Sequence, residues 1–174
     1  KIMSTAIHPI VNANTYMDGN SLLGKAKEFK LPDIEFEFIE HKGLGLHGTV
    51  ELPAGLNAME GEVIWGSFYP EVRAKAYNPY KNVQLMTRSN LQVFDSRGLA
   101  AEEPLVTIMN VAFNKTTGGS LKNKEATEHS DTFKIYSIKQ TLAGKEVLFV
   151  DVLANIYRVN GQDVLQKYRT NIGQ

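Results

Sequence analysis

The stretch that decides the fold runs from His129 to Gly173 and reads HSDTFKIYSIKQTLAGKEVLFVDVLANIYRVNGQDVLQKYRTNIG. It contains two β-rich runs, residues 131–142 and 145–152, which meet at Ala143-Gly144. Glycine accepts the backbone angles that a tight hairpin turn requires and that most other residues resist. The pattern therefore predicts a long antiparallel hairpin near the end of the chain.

A short helix is predicted after this hairpin. Asn160-Gly161 indicates a second turn, and Asp163 follows at a position from which its side chain is expected to cap a helix. Gly173 suits the end of that helix, because glycine accepts the left-handed conformation that is common there. The apolar face of the helix would consist of Leu165, Tyr168 and Ile172.

Strand patterns also dominate the rest of the chain. Asp18-Gly19 predicts a hairpin that joins residues 10–17 and 21–29. Pro70 suits the first turn of one internal helix over residues 69–77. Further strands are predicted at residues 34–40, which would be half-buried, and at 49–52, 57–67, 81–94 and 105–113.

Three segments between these strands are predicted to be irregular. Pro53-Ala54-Gly55 is expected to end the strand 49–52, and a polar loop with Arg97-Gly98 and Pro104 is expected to separate strands 81–94 and 105–113. Residues 115–128 are polar, charged and glycine-containing, which is typical of a mobile loop at the tip of a hairpin.

Both ends of the chain carry a family resemblance. A strand that ends in Asp151 is followed by Val-Asn-Gly-x-Asp-x-Leu-x-x-x-Arg-x-x-Ile-Gly at residues 159–173, and residues 14–24 read NTYMDGNSLLG ahead of Leu31-Pro32. This combination resembles the major tail tube proteins of contractile-tailed bacteriophages. The C-terminal residues that carry it are Asp151, Val159, Asn160, Gly161, Asp163, Leu165, Arg169, Ile172 and Gly173.

The resemblance implies a mainly β fold of the tail tube type, a sandwich or barrel with one short internal helix and a short C-terminal helix. It implies a structural virion protein, without cofactor, whose long hairpins line the lumen of a six-membered ring. Stacked rings would form the inner tube of a tail assembled in the host bacterial cytoplasm. The implied partners are further copies of the chain, the tail sheath protein, the baseplate and tail terminator proteins, and phage DNA that passes through the lumen without sequence-specific binding.

Composition agrees with a single domain over residues 1–174, of which residues 1–9 are expected to form a flexible lead. There is no cysteine, so neither a disulfide framework nor a thiolate metal site is expected. Nineteen basic and nineteen acidic residues cancel, so no net field attracts nucleic acid or an anionic membrane. No apolar run reaches the roughly 18 residues of a membrane span, and no membrane insertion is expected.

Two hairpins, residues 34–52 and 105–136, are the candidates for the lumen wall. The first carries the candidate lumen residues Glu35, Glu37, Glu40 and Glu51, and an acidic wall would repel DNA phosphates. The second is mixed in charge, so the sign of the lumen stays open. The candidate ring or stacking contacts are Gly43, Gly45, His47, Gly48, Lys122, Lys124, Asp163 and Arg169.

Three motifs with catalytic or binding chemistry are better explained structurally. Gly43-x-Gly45-x-x-Gly48 has the letters of a dinucleotide loop but is followed by a strand pattern instead of a helix. His129-Ser130-Asp131 has the letters of a hydrolytic triad, yet neighbours in a strand point to opposite faces. The four histidines lack metal-ligand spacing. No catalytic, metal or cofactor residue is therefore predicted.

Several alternatives remain open from the residues alone. Apolar residues on both faces of strand 105–113 indicate cover by a helix or loop of the same chain, or by a neighbouring copy. The chain could be the tube of a related machine, such as an R-type bacteriocin or a secretion-system tube. A monomeric ligand-binding barrel would require an inward apolar pocket, and an enzyme would require a catalytic constellation that the sequence does not offer.

Overall fold

A computed structural model describes residues 5–174 as a mainly β protein. Strands hold 56% of the chain and helices 8%, which confirms the predicted class with its two short helices. The strands are β1 Ile10–Met17, β2 Asn20–Ser21, β3 Ala26–Lys30, β4 Phe36–His41, β5 Val50–Leu56, β6 Met59–Trp65, β7 Val83–Asp95, β8 Gly98–Thr116, β9 His129–Leu142, β10 Lys145–Asp151, β11 Ile156–Val159 and β12 Gln162–Asp163. The helices are α1 Pro70–Ala76 and α2 Gln166–Asn171.

One antiparallel sheet organises the molecule, in the order β12-β11-β10-β9-β8-β7-β1-β2. Strand β9 belongs to two layers. Its first half pairs with β6, from Trp65 opposite His129 to Met59 opposite Ile135, and its second half pairs with β10. Because β3 pairs with the far side of β6, the sheet folds back over itself as a sandwich that approaches a barrel.

The interior is filled by large side chains from the inward faces of these strands. Strand β6 alternates in burial, with Met59, Val63 and Trp65 buried and the glutamates between them facing outward. Phe133 packs beside Gly61, where an added Cβ would lie 2.5 Å from the Phe133 ring. The core also includes Met17, Leu22, Val72, Leu85, Met109, Val111, Phe113 and Val150.

Both turns predicted in the C-terminal region are confirmed. Ala143-Gly144 joins β9 to β10, and Asn160-Gly161 joins β11 to β12. All four residues have φ between 50° and 80°, the left-handed values of two-residue hairpin turns that follow strand twist. Gly173 has φ 81° just after α2, which confirms its predicted place at the helix end.

The helices agree with prediction in position, while Asp163 does not cap α2. Helix α1 lies within the predicted 69–77 and has proline in its first turn. The residue before α2 is Leu165, and no side chain caps that end. Asp163 Oδ1 instead accepts a hydrogen bond from the Leu165 N–H, because β12 holds Asp163 two residues too early to cap the helix.

Four strand predictions were wrong. Strand β5 continues through Pro53 to Leu56, because an edge strand tolerates a residue that cannot donate a hydrogen bond. No polar loop separates β7 from β8, which meet in a tight turn at residues 96–97. The predicted strand 21–29 is divided between β2 and β3, and β4 is exposed along its whole length instead of half-buried.

The predicted flexible lead, residues 1–9, falls in part outside the described residues, because residues 1–4 are not described. Closer to β1 the chain already pairs with β7. Ile7 and Phe94 exchange two backbone hydrogen bonds, and the Pro9 carbonyl accepts one from Gln92. Residues 7–9 therefore extend the edge of the main sheet.

Candidate functional site

The hairpin formed by β4 and β5 is a separate two-stranded sheet, and all its residues except Leu56 are exposed. Its root is held by Phe36, whose ring meets the Tyr157 ring of β11 edge-on at 5.4 Å, and by Leu56, which packs against the core. Burial against this root raises the pKa of Tyr157 above its ordinary value. Beyond the root, both faces of the hairpin face solvent.

The four acidic residues predicted for the lumen do not share one face. Glu40 lies directly opposite Glu51, and alternation along β4 turns Glu37 to the other face. Lys42 forms an ion pair of 2.9 Å with Glu40 and partly neutralises the Glu40–Glu51 pair. Glu35 precedes the strand and lines a different feature, an open cleft of about 210 Å³ that also includes Lys30, Asp33, Glu60, Glu62 and Thr132.

The hairpin tip contains the predicted contact residues Gly43, Gly45, His47 and Gly48, all exposed. Gly45 has φ 88°, and the Leu46 N–H donates to the Gly43 carbonyl at 3.2 Å, so the tip forms a tight turn. Leu44 is fully exposed at this turn. The glycines therefore shape a protruding loop and do not precede a helix that could hold a nucleotide phosphate.

Residues 117–128 link β8 to β9 and carry the other predicted contacts, Lys122 and Lys124. Both lysines are exposed, and Lys122 Nζ lies 3.5 Å from Glu125 Oε2. The base of the loop is held by a hydrogen bond from Thr117 N–H to the Ser130 carbonyl. The loop thus presents its lysines from a base attached to the sheet.

The far ends of β7 and β8 form an arm that extends beyond β9. Pairing of β8 with β9 starts at Leu105, so within the described chain residues 98–103 of β8 pair only with β7. One face of the arm is polar, because Glu102 accepts hydrogen bonds from Asn90 and Gln92. The Gln92 and Asn90 bonds hold the pKa of Glu102 below its ordinary value. The arm therefore combines a polar face with a strand edge that has no partner strand in the described chain.

A buried charged cluster joins α1 to β9 and was not predicted from the sequence. Asp131 accepts hydrogen bonds from Trp65 Nε1 and Arg73 Nη1, both at 2.8 Å. Burial raises the pKa of Asp131, while the Trp65 and Arg73 bonds favour its charged form and limit that rise. His129 lies against the Phe68 ring at 5.7 Å, so the three residues His129-Ser130-Asp131 form no catalytic relay.

The predicted contact residues Asp163 and Arg169 bind each other within one chain. Arg169 Nη2 donates to Asp163 Oδ2 at 2.5 Å, and Nη1 donates to the Asn155 carbonyl at 2.9 Å. The bond from Arg169 holds the pKa of Asp163 below its ordinary value. Gln174 adds two hydrogen bonds, to Asn155 and Ala154. Asn155, Asp163, Arg169 and Gln174 form a polar clasp that attaches α2 to the turn between β10 and β11.

In residues 5–174, no three histidine, aspartate or glutamate side chains come together in a way that could hold a metal ion. The interior is packed by Trp65, Met109 and Phe133. A cleft of about 350 Å³ lies between the edges of β1 and β3 and is open to solvent. Neither helix of this part of the chain has the length and apolar character that crossing a membrane requires.

Comparison with known proteins agrees with this geometry. The tail tube protein of Escherichia phage P2 is 27% identical over 164 residues, which cover 92% of this chain and 94% of that protein. The sheath/tube terminator of an extracellular contractile injection system has a similar fold, with a TM-score of 0.57, 12% identity, and coverage of 76% of this chain and 95% of that one. A sheath-tube complex from such a system gives a TM-score of 0.56 at 12% identity, over 76% and 90%.

The family match covers nearly the whole described chain. Residues 7–173 match the family described as phage tail tube protein FII. This family is structural and not enzymatic. The chain belongs to the phage tail tube protein FII family and is a structural component of a contractile tail.

Proposed function

We propose that six copies of this chain close into a ring and that the rings stack into the inner tube of a contractile tail. The single observation that carries the proposal is the exposed β4–β5 hairpin. One of its faces presents Ile39 and Leu52 to solvent, although a two-stranded hairpin of this kind is marginally stable in water. Neighbouring copies would cover these side chains and make the hairpin part of a larger sheet.

The arm of β7 and β8 supports lateral assembly. Residues 98–103 leave one row of backbone groups without a strand partner in the described chain, and such an edge favours pairing with another copy. A hairpin strand from the next copy would pair along this edge. Repeated around a ring, this pairing removes every lateral edge, as in a closed barrel.

Of the two hairpin faces, the one with Glu40 and Glu51 is the better candidate for the lumen. Carboxylates directly opposite each other repel, so this pair is more stable beside water than inside a packed contact. An acidic wall would also keep DNA phosphates from binding. Glu37 then belongs to the face that packs against other copies, and Glu35 belongs to the outer cleft.

Stacking of rings would use the two protruding loops. Gly43, Gly45, His47 and Gly48 shape the hairpin tip, and Lys122 and Lys124 lie on the loop after β8. A contact between unlike surfaces continues from ring to ring and does not close on itself. Asp163 and Arg169 would act indirectly in this contact, because their ion pair holds α2 in place.

The wider partners follow from the same role. The tube would contact the sheath along its outer surface, grow from a baseplate and end at a terminator. Assembly would take place in the cytoplasm of the host bacterium, and DNA would pass through the lumen. Relatives described as parts of extracellular injection systems support the tube architecture, whereas DNA passage requires a separate test on particles that carry a genome.

Electron microscopy of the purified chain, with and without baseplates from the same tail, tests the proposal. We expect hollow rings or tubes with six-fold end views. The variant Ile39→Lys should stay a 19.4 kDa monomer with an unchanged melting temperature, because Ile39 is exposed in the free chain.

The matched control is Leu23→Lys, which places the same charge at an exposed leucine outside the hairpin and the arm. This variant should assemble normally. A wild-type chain that stays monomeric even on baseplates would overturn the proposal, as would normal tubes from Ile39→Lys.

A further inference from the structure

Helix α2 is attached to the protein in an unusual way, because none of its residues is buried. It has six residues, which is too short for a stable isolated helix in water. The polar clasp of Asn155, Asp163, Arg169 and Gln174 holds it to the turn between β10 and β11. Polar bonds, and not a buried apolar face, keep this helix in position.

The apolar side chains around α2 consequently face solvent. Leu153 is 76% exposed, Val164 64%, Tyr168 51% and Ile172 54%. We refer to these four residues as the C-terminal surface. Helices of soluble proteins normally turn their apolar stripe toward the core. A helix held by its polar side with its apolar side exposed has the arrangement of a binding surface.

A matching apolar feature lies at the tip of the β4–β5 hairpin. Leu44 is fully exposed and Leu46 is 51% exposed, between glycines that allow the loop to adapt to a surface. A protruding leucine pair and an exposed apolar surface are chemically complementary, because each removes apolar area of the other from water.

The hairpin tip cannot contact the C-terminal surface of its own chain while the hairpin root stays in place. Phe36 at the root contacts Tyr157, and the Tyr157 carbonyl accepts a hydrogen bond from Val164 N–H at 2.8 Å. The root is therefore next to the C-terminal surface. Five residue steps along β4 separate Phe36 from His41, so the tip lies roughly 17 Å farther out at about 3.3 Å per residue.

We propose that the C-terminal surface is the docking site for the hairpin tip of a second copy, with Leu44 and Leu46 in contact with Leu153, Tyr168 and Ile172. This inference rests on the proposed function and assigns one of its contacts. The two surfaces are unlike, so the contact is heterologous and propagates along a stack. Apolar burial carries it, and it should therefore persist at salt concentrations that screen the contacts of Lys122 and Lys124.

Cysteine crosslinking gives a direct test, because the chain contains no cysteine. The double variant Leu44→Cys/Ile172→Cys is assembled on baseplates and treated with a short bis-maleimide. We expect a ladder of covalent oligomers in a denaturing gel, because every docking contact would pair the two positions. The controls are both single variants and Leu121→Cys/Ile172→Cys, in which Leu121 is 90% exposed on the other loop. These controls should run as monomers.

Electron microscopy of the same samples separates this inference from the proposed function. Tubes without a ladder, or an equal ladder from the Leu121 control, would overturn the docking site and leave the tube assignment intact. If the double variant does not assemble, the single variants Ile172→Ser and Leu44→Ser test the docking site instead. Each should reduce tube yield at least tenfold while Leu23→Ser does not, and normal tubes from both would reject the docking site.

Discussion

Arg73 on α1 and Asp131 on β9 form an ion pair of 2.8 Å in the interior, 58 positions apart in the chain. Arg73 is 3% exposed and Asp131 is fully buried. Trp65 donates a second hydrogen bond to the same carboxylate. Arg73 Nη2 has no acceptor among the described residues, so Asp131 is the partner on which the buried guanidinium depends.

Replacing Asp131 by alanine should destabilise the fold by about 3–5 kcal/mol, because it leaves an uncompensated buried charge and an unpaired Trp65 N–H. Urea unfolding, monitored by Trp65 fluorescence, measures this change in the free energy of unfolding. Glu71→Ala is the matched control, since Glu71 also pairs with a cation but lies at the surface. The Glu71 substitution should lower the free energy of unfolding far less than the Asp131 substitution, because exposed ion pairs are weak. Equal losses for the two variants would refute the assigned role of Asp131.

Gly61→Ala should lower the free energy of unfolding by about 1–3 kcal/mol. The new methyl group would lie 2.5 Å from the Phe133 ring and 3.0 Å from the Lys30 carbonyl. Gly55→Ala is the control in another strand, where nothing lies within 4 Å of the added carbon. Thermal unfolding of the two variants under one buffer condition compares them. A Gly61 variant as stable as wild type would show that the core accommodates the methyl group.

Arg169→Ala should release α2 while the sheet stays folded. The substitution removes the bonds to Asp163 and to the Asn155 carbonyl, which hold the helix. Hydrogen exchange should rise at residues 166–172 and remain unchanged in β7 to β9. Lys167→Ala serves as the control, because Lys167 forms no ion pair within the described chain. Unchanged exchange in α2 after loss of Arg169 would contradict the clasp.

Acid should loosen the same helix. The Arg169 bond holds the pKa of Asp163 below 3.8, so ionised Asp163 stabilises the clasp above that pH, and the stabilisation is lost as pH falls through the lower folded value. The methyl signals of Ile172 in NMR spectra should therefore shift on acidification below pH 3.8. Asp163→Asn should abolish that step, and a step that persists in this variant would assign it to another group.

Local chemistry predicted the parts of the fold that depend on a few adjacent residues. Ala143-Gly144 and Asn160-Gly161 formed the predicted turns because their backbone preferences are independent of the rest of the molecule. The helix with Pro70 in its first turn was also correct within two residues of its ends.

Features that depend on pairing between residues far apart in the chain were not predicted from the sequence. Residues 98–103 look like a polar loop, yet β7 supplies a strand partner that makes them the end of β8. Pro53 interrupts a strand only where its missing N–H is needed, and the free edge of β5 does not need it. Nothing near Arg73 in sequence indicates that Asp131 will meet it, so the buried pair was not predicted.

The candidate site divides in the same way. The glycine-rich hairpin tip and the two loop lysines stay predicted contacts between copies, and all of them are exposed in the single chain. Arg169 stays a predicted contact with a neighbouring copy; within its own chain it binds Asp163, a pairing that their separation of six residues did not suggest. Tyr168 and Ile172 were predicted to lie on the apolar face of the helix, but periodicity alone does not reveal that this face is exposed.

Strand β9 lies in both layers, since its first half pairs with β6 and its second half with β10. Neither layer can melt alone without removing hydrogen bonds from the strand that the other layer requires. Thermal unfolding of the monomer should accordingly be a single cooperative transition, with equal calorimetric and van't Hoff enthalpies. Partly unfolded forms of the complete chain, with exposed strand edges, would then be rare before assembly, when aggregation would compete with it.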